Sequence, residues 1–353
     1  MPLRPTCARV PNRALLSITG ENAHQFLHGI ISQGPSTPPR GSFFTAFLHA
    51  QGRVLADAFV YRTPTSEDKD DGYIIEYDAR PSKAPPLVSI LKRYVLRSKV
   101  KIRDVSDEWD VWAAWGISDK PDDRKWRWSR SGAVEPVWET KEWPWGGVQN
   151  HFSILDRRAY GMGHRRVVRQ GDPSPDASEC EVTPEEAYVR HRIMHGVPEG
   201  IEDIQPMQAF PMESNLDIMG AIDFRKGCYV GQELTVRTYH TGVVRKRIFP
   251  IELQPLDPAK KNLPPLSPGL HIFPTVKARD EQGALTSRPG KLLTTVGNVG
   301  LALLRLEHIQ AVTRGAATFE LPVKGEESVT ETCQVNLIRP IGWPQPGVNE
   351  VDS

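Results

Sequence analysis

The sequence predicts an α+β protein of two or three domains, the last of them β-rich. Three observations carry this. The 353 residues exceed what one hydrophobic core usually holds. Short apolar strands alternate with amphipathic helices through the N-terminal third. Beyond Leu253 prolines crowd the chain, and the apolar runs that follow read as strands. A content of 39% hydrophobic and 25% charged residues is that of a globular chain.

In order, Ala14–Ile18 reads as a strand. Thr19–Ile31 reads as a helix whose Phe26, Leu27, Ile30 and Ile31 form an apolar stripe. Phe43–Leu48 and Arg53–Tyr61 read as strands joined by a turn at Gln51-Gly52. An acidic loop over Thr63–Gly72 leads to a strand at Tyr73–Tyr77, a helix at Pro86–Leu96 and a strand at Lys99–Arg103. Eight of the nine tryptophans then fall between Trp109 and Trp145. Tryptophan is enriched at binding hot spots, so one reading is a partner surface. The other packs Trp112 and Trp115 in a core and spreads the rest over a long hairpin. Gln170–Glu181 reads as a linker-like loop. Thr183-Pro184-Glu185-Glu186 then starts a helix, with Thr183 as cap, Pro184 in the first turn and Glu186 at the capping-box position. Gly196 and Pro198 end it. Leu253–Lys291 carries seven prolines and reads as a linker and loop insertion. Strands at Leu292–Val296, Val299–Arg305 and Val335–Ile338 follow it.

Charge and cysteine usage exclude several classes. With 44 basic and 43 acidic residues the net charge is +1, which argues against an extensive nucleic-acid surface and leaves room only for a local patch. No 18-residue apolar run exists, so no integral membrane helix is expected. The cysteines are Cys7, Cys180, Cys228 and Cys333, with no CxxC among them, so there is no sequence-local zinc, ferredoxin or thioredoxin signature. Wide spacing suits a reducing compartment. No complete signal or transit peptide precedes the first strand, which fits a cytosolic protein or one whose transit peptide has been removed. His24/His28 and His191/His195 have metal-compatible spacing but lack the glutamate of HExxH, and surface or interdomain roles suit them better. Gly161/Gly163 and Gly297/Gly300 complete no phosphate loop, and there is no GxSxG.

The stretch richest in chemistry is Lys226-Gly227-Cys228-Tyr229-Val230-Gly231-Gln232-Glu233. Gly227 and Gly231 permit a tight turn around the sulfur. A neighbouring ammonium favours thiolate over thiol, and thiolate is the form that attacks or binds metal. Glu233 and Arg237 stand four apart. On a helix they would pair; on a strand, as Leu234-Thr235-Val236 suggests, they would share a face. One thiolate is a poor cluster site alone, because iron–sulfur clusters generally take four protein ligands. If Cys228 holds a cluster, a partner supplies the other sulfurs.

This octapeptide resembles the signature of the YgfZ-like proteins, relatives of the glycine-cleavage aminomethyltransferase. Arg192-Ile193, Gly196-Val197-Pro198-Glu199, Asn215-Leu216-Asp217, Arg237, Gly242 and Gly300–Arg305 match the family in order, and Gly20–Gln33 and Phe47–Tyr61 resemble its opening helix and strand. The resemblance covers most of residues 13–340. It implies a three-domain, folate-binding type of α+β architecture closed by a small C-terminal β-barrel. Expected boundaries are 1–105, 106–244 and 245–353, with the first two interwoven.

The resemblance further implies a mitochondrial matrix factor for iron–sulfur cluster assembly. It would act with A-type carrier proteins in maturing [4Fe–4S] proteins, without conventional turnover. In that reading Cys228 is the cluster ligand or transfer residue and Lys226 activates it, while Gln232 and Glu233 position the loop. Tyr229, Asn215 and Arg237 complete the expected site. The other reading is a tetrahydrofolate-dependent one-carbon transferase with a pocket floored near Asn215 and Glu233. A pterin edge needs hydrogen-bonding partners of that kind. The acidic catalytic residue of the aminomethyltransferase has no clear counterpart; Asp78 is the positional candidate. A third reading is a scaffold working through the tryptophan-rich segment.

Overall fold

The computed structural model describes residues 4–34, 41–63, 72–117, 124–138, 144–145, 152–256, 266–276, 286–324, 330–345 and 351. The chain opens with β1 (Thr6–Arg9), β2 (Arg13–Thr19), α1 (Ala23–Ile30), β3 (Phe43–Leu48), β4 (Val54–Thr63) and β5 (Gly72–Asp78). α2 (Leu87–Val95), β6 (Lys101–Asp104) and β7 (Trp109–Trp115) follow, then the hairpin β8 (Arg124–Trp128) and β9 (Val134–Trp138). Next come β10 (Ser153–Leu155), β11 (His164–Arg169), β12 (Glu181–Thr183), α3 (Glu185–Met194), α4 (Gly200–Asp203) and α5 (Gln232–Thr241). The last part holds β13 (Lys246–Pro255), β14 (His271–Val276), β15 (Gly290–Val296), β16 (Val299–Arg305), α6 (Leu306–Thr313), β17 (Ala317–Lys324) and β18 (Thr330–Leu337).

These strands form two five-stranded sheets, ordered β3-β4-β5-β2-β6 and β10-β11-β7-β1-β12, and a closed barrel ordered β13-β16-β15-β14-β17-β18. The α+β class and the C-terminal barrel are therefore as expected. In the first sheet every position of β3 and β5 is buried, which an apolar run such as Phe43–Leu48 demands. β1 crosses to the second sheet, pairing parallel with β12 and antiparallel with β7. The two sheets are thus laced together by the first strand of the chain. No described helix is long and apolar enough to cross a membrane.

Several local expectations change. The first helix begins at Ala23 because Gly20 has φ +128° and lies so close to Lys99 that a Cβ would fall 2.1 Å from its carbonyl oxygen. Asn22 spends its side chain on the Lys99 N–H at 3.0 Å. Thr183 does not cap α3: it belongs to β12, and its hydroxyl donates to the Cys7 carbonyl at 3.2 Å. The helix still stops at Gly196, whose φ is +68°. The proline-rich stretch is not all linker, since Leu253–Pro255 extends β13 and His271–Val276 is a barrel strand. Pro274 is accommodated there opposite Phe319. Among the described tryptophans, Trp126 and Trp145 are the deeply buried ones, while Trp112 and Trp115 are partly exposed. Trp126 packs with Val134 and Ile218, and Trp145 lies 6.3 Å from Phe44, centroid to centroid. Most of the acidic loop expected at Thr63–Gly72, and parts of the tryptophan-rich segment, lie outside the described residues.

Candidate functional site around Cys228

The segment after the cysteine is a helix, α5, and not a strand. Leu234, Thr235 and Val236 favour strand only weakly as a local preference. What overrides them is Gly231, left-handed at φ +82°, which turns the chain into the helix. A side chain at this position has no room: a Cβ would fall 2.4 Å from the His49 carbonyl oxygen and 2.7 Å from Leu48 Cβ. Gln232 braces the turn, accepting the Tyr229 N–H on Oε1 at 3.2 Å. One turn on, Leu234 packs where a Cβ on Gly52 would be 2.6 Å away, so the predicted β3–β4 turn is the bed on which α5 rests.

The other side of the loop is clamped to α1. Asp223 donates its N–H to the Ser32 carbonyl at 3.0 Å, and its Oδ1 accepts the N–H groups of Arg225 and Lys226. The Lys226 ammonium donates to the carbonyls of His28 at 2.8 Å and Ile31 at 2.6 Å. These are among the acceptors that the end of a helix leaves unpaired, at the negative pole of its dipole. The ammonium also lies 4.9 Å from the centre of the buried Tyr229 ring. Burial pulls the pKa of Lys226 down to about 8, against the opposing charge of Asp223. Val230 closes the clamp with an N–H to the Gly29 carbonyl at 3.1 Å.

Between these fixed points Gly227 and Cys228 face solvent. Cys228 is the exposed cysteine; Cys7, Cys180 and Cys333 are buried. His28 borders the same loop, its Cε1 lying 3.8 Å from where a Gly227 Cβ would be. Burial and the charge of Lys226 lower the pKa of His28, so its imidazole is neutral at pH 7. Below the loop, Phe224 stacks on Tyr239 at 4.2 Å, and Glu135 of β9 takes the Tyr239 hydroxyl and pairs with Arg225 at 2.8 Å. Three separate pieces of chain, α1, the β3–β4 turn and the β8–β9 hairpin, thus hold one sulfur out.

The other predicted residues divide. Glu233 and Arg237 lie one turn apart on α5 and are exposed, close to Cys228 along the chain. Asn215 is elsewhere: fully buried, at φ +60°, it donates Nδ2 to the Ile248 carbonyl at 2.7 Å and accepts the Ile248 N–H at 3.3 Å. Nearby, Asp217 holds Arg247 through both oxygens at 2.6 and 2.8 Å. The Asn215-Leu216-Asp217 run therefore ties the barrel to the rest of the chain. Of the residues picked for a folate pocket, Asn215 offers no exposed atom, while Glu233 is exposed on α5. Asp78 is paired with Arg80 at 2.7 Å and accepts the Ile201 N–H at 3.1 Å. Burial would raise its pKa, but the bonds from Arg80 outweigh this and hold it low. Neither histidine pair gathers a metal set. His24 bonds the Tyr73 hydroxyl at 3.0 Å, and His191 the Gly161 carbonyl at 3.0 Å. Among the described residues no group of three or more potential ligands converges.

Sequence reasoning missed a second concentration of charge. Glu199 pairs with Arg158 at 2.6 Å and Arg165 at 3.1 Å and accepts the Tyr188 hydroxyl at 2.8 Å. Glu76 pairs with Arg13 at 2.7 Å and with Arg165, and accepts the Tyr61 hydroxyl at 2.8 Å. All these side chains are buried between the sheets and α3. Burial works to raise the pKa of Glu199, yet the arginines outweigh it and hold it well below the ordinary value. No local motif signals this network, because its members come from seven separate elements and loops.

The barrel residues 245–345 match the family model described as the C-terminal β-barrel domain of CAF17. Over 327 residues the chain is 37% identical to a protein of Coccidioides immitis named iron–sulfur cluster assembly factor IBA57 homolog, mitochondrial, covering 85% of this chain and 71% of that one. The chain belongs to the IBA57 family. A Cryptococcus neoformans member is 37% identical over 326 residues, covering 86% of this chain and 84% of its own length. An Aspergillus oryzae member reaches 38% over 341 residues, covering 87% and 71%. In fold, the IBA57-family chain resembles the crystal structure of aminomethyltransferase T of the glycine cleavage system from Bartonella henselae. The TM-score is 0.58 over 94% of this chain and 85% of that one, at 13% identity. That likeness carries the expected architecture and nothing about activity.

Proposed function

We infer that this chain is a mitochondrial iron–sulfur cluster assembly factor in which Cys228 is the thiolate that meets the cluster. One observation carries the assignment of the residue. Of four cysteines, Cys228 is the exposed one, and it sits on a loop clamped at both ends. The family names supply the process. The cluster here is cargo. The protein's part is to hold a single sulfur at a defined place while the sulfurs of a partner, an A-type carrier, complete the coordination. Lys226 positions the loop by anchoring it to α1. Gly231 and Gln232 set the direction in which Cys228 leaves the surface. [4Fe–4S] proteins are the proposed recipients. Tetrahydrofolate is the less supported cargo, because Asn215, expected to floor its pocket, spends its amide on Ile248 at the barrel junction.

The test is anaerobic reconstitution with iron, sulfide and an A-type carrier, read by visible absorption and gel filtration. Wild type is expected to give a coloured heterocomplex, and Cys228→Ser to give none while melting at the same temperature. A coloured complex indifferent to the substitution would remove the ligand role. Full complementation of a deletion strain by Cys228→Ser would do the same.

A further inference from the structure

Overall charge is balanced, but its placement is not. Residues 79–103 contain eight basic side chains and no aspartate or glutamate. Lys92, Arg93 and Arg97, at and just after the end of α2, are exposed, as are Lys99 and Lys101 beside β6. Lys99 pairs with Glu21, and Arg103 with Glu108. Leu96 stands among these cations, 87% exposed, with backbone at φ +41° where side chains other than glycine are uncommon. Tyr94 is exposed beside it. Single exposed apolar residues mean little, but an apolar tip ringed by cations beside a cavity is a different case. The cavity is a surface groove of about 830 Å³, walled by Asn22, Gln25 and Phe26 on one side and Tyr94, Leu96 and Arg97 on the other.

α1 joins this groove to the cysteine loop. Asn22, Gln25 and Phe26 are at its start, and the His28 and Ile31 carbonyls that hold Lys226 are at its end. A helix of eight residues is roughly 12 Å long. A protein seated in the groove is therefore close enough to reach Cys228.

We propose that the α1–α2 groove and its basic ridge dock an acidic protein segment carrying an apolar side chain, presented by the same partner that shares the cluster at Cys228. The proposal rests on the reading of Cys228 given above. Charge complementarity selects an acidic partner and raises its rate of encounter. The exposed Gln25 amide in the groove wall suits the backbone of a peptide, and the exposed Tyr94 and Leu96 side chains suit its anchor. A lipid surface would use the cations but leave the Gln25 amide of the wall unmatched.

The experiment uses the whole chain and a Lys92→Glu/Arg93→Glu/Arg97→Glu variant. Two probes are titrated at low and physiological salt: a fluorescein-labelled peptide of alternating glutamate and leucine, and an A-type carrier. The variant is expected to keep its melting temperature and to bind both probes at least about tenfold more weakly, with the gap closing as salt rises. Peptide affinity within about twofold of wild type would overturn the proposal. So would loss of co-sedimentation with phosphatidylglycerol vesicles in place of peptide binding, which would make the occupant a membrane. Peptide binding lost with carrier affinity unchanged would overturn the link to the cluster partner. If the cluster colour is indifferent to Cys228 while peptide binding is still lost in the triple variant, the docking surface stands and the reading of Cys228 fails.

Discussion

The Cys228 loop and the Glu76–Arg165–Glu199 network are built oppositely. The loop has few hydrogen bonds of its own side chain to satisfy, and it leaves a sulfur in water between two clamps. The network satisfies nearly every charge it contains and excludes water. Perturbed pKa values mark both functional sites and structural ion clusters. Here accessibility separates them: Glu199 is held well below its ordinary value, yet it is buried, whereas Cys228 is exposed. Extreme titration in a closed cluster is the signature of cross-bracing between sheets.

Five substitutions test this contrast. The largest effect belongs to Arg165→Met, which takes one buried cation from both Glu76 and Glu199, leaving them Arg13 and Arg158, and should cost roughly 3–5 kcal/mol in urea unfolding. Cys228→Ser in the same assay should stay within about 0.5 kcal/mol. Equal losses at the two positions would erase the distinction. Next comes Gly231→Ala, which combines a left-handed backbone with a clash on the His49 carbonyl. About 1–3 kcal/mol should be lost, together with the coloured complex, because the cysteine is redirected. An unaltered complex would mean that loop direction is unimportant.

Two smaller effects appear as pH dependence. Lys226 has its pKa lowered from 10.5 to about 8, so between those values the unfolded chain holds more protons than the folded one. Its contribution to stability therefore rises with pH across that window, and Lys226→Met should abolish the rise. A variant as steep as wild type from pH 8 to 10.5 would show that the ammonium is not desolvated against α1. His191 stacks on Trp115 at 4.5 Å, and burial lowers its pKa from 6.5 to about 3. Between these values too the unfolded state binds more protons, so stability falls as pH drops from 6.5 toward 3. His191→Gln should flatten that part of the curve, read by the denaturant midpoint.

Local pattern was readable wherever one stretch of chain decided the outcome. The apolar stripe of α1, the Gln51-Gly52 turn, the stop at Gly196 and the barrel strands at Leu292 and Val299 all follow from periodicity and turn chemistry. Errors came where a partner distant in sequence won. Thr183 gave up its cap for the Cys7 carbonyl across 176 residues, and Gly20 delayed α1 because Lys99 approaches it. The strand preference of Leu234-Thr235-Val236 yielded to the left-handed turn at Gly231, which is packed against Leu48 and His49. Trp126 and Trp145 are buried by Ile218 and Phe44, neighbours that tryptophan spacing cannot reveal.

By itself the sequence determined that a cysteine would lie on a glycine-bounded turn, that the chain is α+β with a β-rich end, and that cations crowd residues 79–103. Those properties depend on backbone angles, periodicity and composition, which are local. Tertiary structure alone decided which cysteine faces water, that Lys226 grips the end of α1, that Asn215 serves the barrel, and that Arg158, Arg165, Glu76 and Glu199 meet at all. Burial and charge pairing are properties of neighbours in space, and folding brings those neighbours from positions that no motif links.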